Sequence, residues 1–127
     1  MKKNLLLIFL FGVIVGCKSP TEEKAEVNET IQILDKASFK TEIANQDIQL
    51  IDVRTPKEYE EGHINNAILI DFLADDFEDK VQNLDKNKPV YLYCRSGGRS
   101  SKASKVLVDL GFNAIKDLKG GYLNWKK

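Results

Sequence analysis

From Thr30 onward, short apolar runs alternate with stretches in which apolar positions recur every three or four residues. The first pattern predicts strands and the second amphipathic helices. Ile31–Leu34 reads as a short strand, and residues 36–44 carry Phe39 and Ile43 four apart on one helical face. Residues 49–53 form an apolar strand. Thr55-Pro56-Lys57-Glu58 then begins a helix, with Thr55 as cap, Pro56 in the first turn and Glu58 closing a capping box. Residues 67–70 predict another strand, and Phe77, Val81 and Leu84 share one face of another helix. Val90–Tyr93 is almost continuously apolar, as expected at the centre of a parallel sheet. Residues 100–110 predict a helix with Ala103, Val106, Leu107 and Leu110 inward, ended by Gly111 in the left-handed conformation. Residues 114–117 make the last strand, and Gly120-Gly121 turns into a short helix ending near Trp125.

Strand and helix alternating in this way predict a parallel, three-layer α/β domain with right-handed crossovers. Ligands of such sheets sit beyond the carboxyl ends of the strands. Cys94 lies just past one such end.

The first residues follow a different pattern. Lys2 and Lys3 precede an apolar run from Leu5 to Val15. As a helix that run would span about 17 Å, well short of a bilayer core of about 30 Å. A secretory signal segment over residues 1–16 is the expectation. Ile14-Val15-Gly16-Cys17 resembles a bacterial lipobox, which implies lipidation of Cys17 and anchoring in the cell envelope, periplasmic or at the outer membrane. Residues 17–29 are polar and charged, too poor in apolar surface to pack, and read as the lipidated cysteine and a flexible tether. The domain proper is expected over residues 30–127. The 19 basic and 19 acidic side chains of the 127-residue chain balance, which argues against a nucleic-acid surface.

Two cysteines occur, Cys17 and Cys94. With Cys17 lipidated, Cys94 is a free thiol in an exported protein, a setting that suggests a reactive role. It opens the loop Cys94-Arg95-Ser96-Gly97-Gly98-Arg99, with Ser100 leading into the next helix. A helix N-terminus offers unpaired N–H groups and partial positive charge. Gly97 and Gly98 permit positive φ, so that successive amides can turn inward as an anion nest. Arg95 and Arg99 bring two further positive charges. Each of these features favours a thiolate at Cys94. With a single histidine, His63, and one domain cysteine, no metal site or cofactor is expected.

The ordered set Leu50-Ile51-Asp52-Val53-Arg54, Glu58-Tyr59, Gly62-His63-Ile64, Ala67, the stretch from Val90 to Ser100, Leu118-Lys119-Gly120-Gly121 and Trp125 resembles the rhodanese-like domain family over almost the whole of residues 30–127. The resemblance implies a five-stranded α/β fold of strand order 1-5-4-2-3. It also implies a sulfurtransferase that works through a persulfide on Cys94, taking sulfur from an anionic donor such as thiosulfate and passing it to a thiol or to cyanide. The amides from Arg95 to Ser100 would hold the sulfur, and Arg95 or Arg99 would orient the donor. Asp52 and Arg54, at a strand end near the loop, are expected to form a charge pair or a loop-bracing hydrogen bond.

Two other readings compete. Cysteine phosphatases of this fold use a similar loop that is one residue longer, usually preceded by histidine where Tyr93 stands here. A non-catalytic module for binding or redox sensing is the other, and the intact Cys94, Gly97 and Arg99 argue against a degenerate copy.

Overall fold

The computed structural model describes residues 12, 16, 30–44 and 47–127. The expected lipidation site Cys17 and its tether lie outside the described residues. Five parallel strands form one sheet: β1 (Ile31–Leu34), β2 (Gln49–Asp52), β3 (Ile68–Leu69), β4 (Val90–Tyr93) and β5 (Ile115–Leu118). Their order is β1-β5-β4-β2-β3, as the family resemblance implies. Five helices connect or follow them: α1 (Lys36–Ile43), α2 (Pro56–Glu60), α3 (Phe77–Val81), α4 (Gly98–Asp109) and α5 (Gly121–Trp125). Among the described residues no helix is long and apolar enough to cross a membrane.

Alternation along the central strands divides the core between the two sheet faces. Val90, Leu92 and Cys94 pack with Phe77, Val81, Ala103 and Leu107 on the side of α3 and α4. Tyr91 and Tyr93 pack with Phe39, Leu118, Tyr122 and Trp125 on the other. Cys94 therefore points toward α4 because it continues the period of Val90 and Leu92. All four residues of β4 are buried, as its apolar sequence requires.

Local signals set the helix ends. Thr55 Oγ1 accepts from the Glu58 amide while Glu58 reaches back to the Thr55 N–H, completing the capping box read from the sequence. Gly111, at φ +94°, follows the last turn of α4 as expected. Helix α3 stops at Val81, so Leu84 packs from the following turn. Helix α4 begins at Gly98, two residues before the expected start. The reason is Gly97, which takes φ +114° and makes the whole turn alone, whereas Gly98 is already helical. The expectation of a six-residue loop with two positive-φ glycines is thus corrected to one such glycine and a helix that includes Arg99.

Candidate active site

The end of β4 and the start of α4 meet at Cys94, which is 1% exposed. The Gly97 amide donates to its Sγ at 3.0 Å, and the Ser100 hydroxyl lies 3.4 Å from the same sulfur. Burial is the largest influence on the thiol and pushes its pKa up. The Ser100 hydroxyl and the amides of Ser100, Gly97 and Ser96 outweigh it, so the thiol lies below its ordinary value. The cradle is therefore chiefly neutral donors of the first turn of α4 rather than guanidinium groups.

Arg99 is engaged elsewhere. Its two terminal nitrogens grip the Glu58 carboxylate at 2.8 Å each. That bidentate contact ties α4 to α2 and holds Glu58 well below the usual carboxylate range, at about 2. Glu58→Gln is expected to cost about 1 kcal/mol at neutral pH, as a partly exposed pair of good geometry would. A lowered folded pKa gives stability above the ordinary carboxylate range, and this is lost as pH falls toward 2. Urea unfolding at several pH values should therefore show wild type and variant converging between about pH 4.5 and 2. An undiminished gap at the acid end would contradict this origin.

Arg95 is exposed. Beside it lies a cleft of about 320 Å³, walled by Arg54, Lys57, Arg95 and Lys126 together with Glu58 and Glu61. The cation excess suits a small anion arriving near the loop.

Asp52 and Arg54 form a buried pair. Arg54 Nε contacts both Asp52 oxygens at 2.9 and 3.1 Å, and its Nη2 reaches Asp52 Oδ2 at 2.7 Å and the Gly62 carbonyl at 2.7 Å. The guanidinium also lies over the Tyr122 ring, 4.2 Å from its centroid. This cluster joins β2, the turn after α2, and α5. His63 stacks on Tyr59 at 3.7 Å and its Nδ1 lies 2.9 Å from the Tyr59 carbonyl oxygen, a contact within the turn after α2. Among the described residues no group of acidic, histidine and cysteine side chains could hold a metal ion.

One element of the site was not apparent from the sequence. The N–H groups of Tyr122 and Leu123, in the first turn of α5, donate to the carbonyls of Cys94 and Arg95 at 2.8 and 3.0 Å. A Cβ on Gly121 would fall 2.6 Å from the Arg95 carbonyl carbon and oxygen and from the Cys94 carbonyl oxygen. Gly121 also has φ +60°. The glycine pair Gly120-Gly121 was the available signal, but it read only as a turn. Gly121→Ala should lose at least about 1–2 kcal/mol from the left-handed backbone alone, and more from the clash. Gly98→Ala, whose Cβ would meet nothing within 4 Å, should leave stability nearly unchanged. Equal thermal midpoints for both variants would show that the close approach is unimportant.

Residues 35–127 match the family described as Rhodanese-like domain. The chain is 42% identical over 77 residues to Uncharacterized protein YqhL of Bacillus subtilis, covering 61% of this chain and 60% of that protein, less than two thirds of its length. It is 30% identical over 95 residues to a protein of Allochromatium vinosum named Sulfurtransferase, covering 74% of this chain and 87% of that one. It is 36% identical over 84 residues to Thiosulfate sulfurtransferase GlpE of Coxiella burnetii, covering 66% and 77% respectively. Among solved structures, a rhodanese-related protein from Thermoplasma volcanium superposes with a TM-score of 0.66 at 30% identity, over 75% of this chain and 90% of that chain.

Proposed function

Because the chain belongs to the rhodanese-like domain family, we propose that it is a sulfurtransferase that carries sulfane sulfur as a persulfide on Cys94. The observation that supports this most is the cradle of amide donors and the Ser100 hydroxyl around a buried sulfur. A sulfur so placed has more thiolate character than a free cysteine, and the same donors suit the terminal anionic sulfur of a persulfide.

In the reaction we infer, the Cys94 thiolate attacks the outer sulfur of thiosulfate or a related anion. The new S–S bond forms as the donor's S–S bond breaks, and sulfite leaves with the electron pair. The amides from Arg95 to Ser100 hold the transferred sulfur. Arg95, exposed at the rim of the cationic cleft, meets the oxyanion end of the donor, while Arg99 braces the loop through Glu58. An acceptor thiolate or cyanide then attacks the terminal sulfur and restores the Cys94 thiolate. The two half-reactions give ping-pong kinetics.

The N-terminal reading extends the proposal to place: an exported protein held in the cell envelope by lipid on Cys17, with its thiol acceptor outside the cytoplasm. Mass spectrometry tests both parts. After thiosulfate, the peptide containing Cys94 should gain about 32 Da, one sulfur atom, and lose it on addition of cyanide. Protein purified from its own membrane should carry acyl mass on Cys17. No gain on Cys94 from any sulfane donor would favour the non-catalytic module, and hydrolysis of an aryl phosphate would favour the phosphatase reading.

A further inference from the structure

The cleft beside the Cys94 loop holds more room and more positive charge than an inorganic donor uses. At about 320 Å³, it lies between α2, which brings Lys57, and α5 with its cap, which bring Leu123 and Lys126. A water molecule takes roughly 30 Å³ of the liquid, and small organic ligands occupy pockets of roughly 300–1,000 Å³. Thiosulfate, an ion of a few heavy atoms, fills only part of such a space.

Arg54 lines this cleft although it is 3% exposed. Its Nε and Nη2 are committed to Asp52 and to the Gly62 carbonyl. Among the described residues Nη1 meets no acceptor, yet it is not sealed from solvent. It is the part of a buried guanidinium left to donate to a ligand.

The charge of the walls is equally lopsided. Glu58 is spent on Arg99, and Asp52 on Arg54. Among the described residues Lys57, Arg95 and Lys126 form no ion pair, and Glu61 is the one carboxylate of the wall that stands against them. Lys126 Nζ lies 5.6 Å from the centre of the Tyr122 ring, on which Arg54 also rests. Like charges gathered in a concave site focus their field on an incoming anion. Leu123, 40% exposed, adds an apolar stretch to this wall. Its amide donates to the Arg95 carbonyl, so the wall is fastened to the residue next to the nucleophile.

We propose that Lys57, Lys126 and the free Nη1 of Arg54 select the sulfur acceptor, holding the carboxylate of a small organic thiol whose aliphatic chain lies along Leu123. The inference rests on the sulfurtransferase reading and names the acceptor class which that reading left open. Once sulfite has gone, the seated thiolate, its proton lost to solvent, attacks the terminal sulfur of the Cys94 persulfide. A new S–S bond forms as the old one breaks, and the electron pair returns to Cys94 as its thiolate. The product is a carboxylated persulfide, and no oxidant or reductant enters. A neutral thiol reaches the same sulfur without using these cations.

The test compares 3-mercaptopropionate with 2-mercaptoethanol as acceptors for the full chain, with thiosulfate as donor. Lys57→Gln combined with Lys126→Gln should lower kcat/KM for the charged thiol about tenfold relative to the neutral one, about threefold for each exposed charge contact. Taking the ratio between the two thiols cancels their intrinsic reactivities. The loss should lie in the acceptor KM, as for an interaction made equally in ground and transition states. Equal losses with both thiols overturn the proposal. So does a loss confined to the thiosulfate half-reaction, which would assign the cations to the donor. In wild type the preference for the charged thiol should fall as salt rises from about 0.02 to about 0.5 M. A ratio indifferent to salt overturns the proposal without recourse to any variant. Finally, 3-(methylthio)propionate, which cannot accept sulfur, should bind wild type saturably in a titration of amide resonances and bind the double variant about tenfold more weakly. Such binding with no sulfur transfer from any donor would sink the sulfurtransferase reading and leave the carboxylate site standing. Transfer without such binding would do the reverse.

Discussion

Cys94→Ser is expected to fold as wild type does and to take up no sulfur from thiosulfate. The exchange removes one polarisable atom from a site that is 1% exposed and keeps a group able to meet the Gly97 amide and the Ser100 hydroxyl. Its effect on stability should stay within about 1 kcal/mol. The chemical effect is large because an alcohol is far less acidic than a thiol. The groups that meet the sulfur, the Ser100 hydroxyl and the first-turn amides, are donors suited to an anion. Transfer should fall by at least about 10⁴-fold, as for other enzymes stripped of a covalent nucleophile. Initial rates with thiosulfate and cyanide, together with the mass of the Cys94 peptide, decide the matter. Residual transfer above about one per cent would place the carrier sulfur elsewhere.

The largest stability effect is expected from Arg54→Leu. Asp52 is fully buried, and its carboxylate receives the Arg54 main-chain N–H as well as the guanidinium. Removing the guanidinium leaves a negative charge in the interior without its counter-charge, a loss of about 3–5 kcal/mol in comparable cases. Against a total of about 5–15 kcal/mol for a domain of this kind, that is a large fraction. The same change removes the contacts to the Gly62 carbonyl and the Tyr122 ring, so α5 should loosen too. Asp52→Asn combined with Arg54→Leu should recover part of the loss, because the stranded charge is then gone. Urea unfolding of the two singles and the double measures the coupling. Strict additivity would mean that the pair is not what holds these segments.

Much of this architecture could be read from residue order because it depends on local signals. Strand β4 shows its place by its almost continuously apolar run, and α2 by the Thr55–Glu58 box. The Cys94 loop stood out because a thiol, two glycines and two arginines crowd one short stretch. What stayed hidden depends on chain segments far apart. Arg99 meets Glu58 across 41 positions, so a cation that reads as part of an anion pocket is instead clamped by an acid. The contacts of α5 to Cys94 and Arg95 run between backbone groups, which leave no side-chain signature beyond the glycine that permits them.

The backbone contacts of Tyr122 and Leu123 carry a consequence for the order in which the molecule is made. The sulfur is synthesised well before the segment that fastens its loop from behind. A nascent or prematurely terminated polypeptide ending short of Gly121 would bear the thiol without that clasp, so a fully fixed reactive centre comes into being only once translation has passed the last helix.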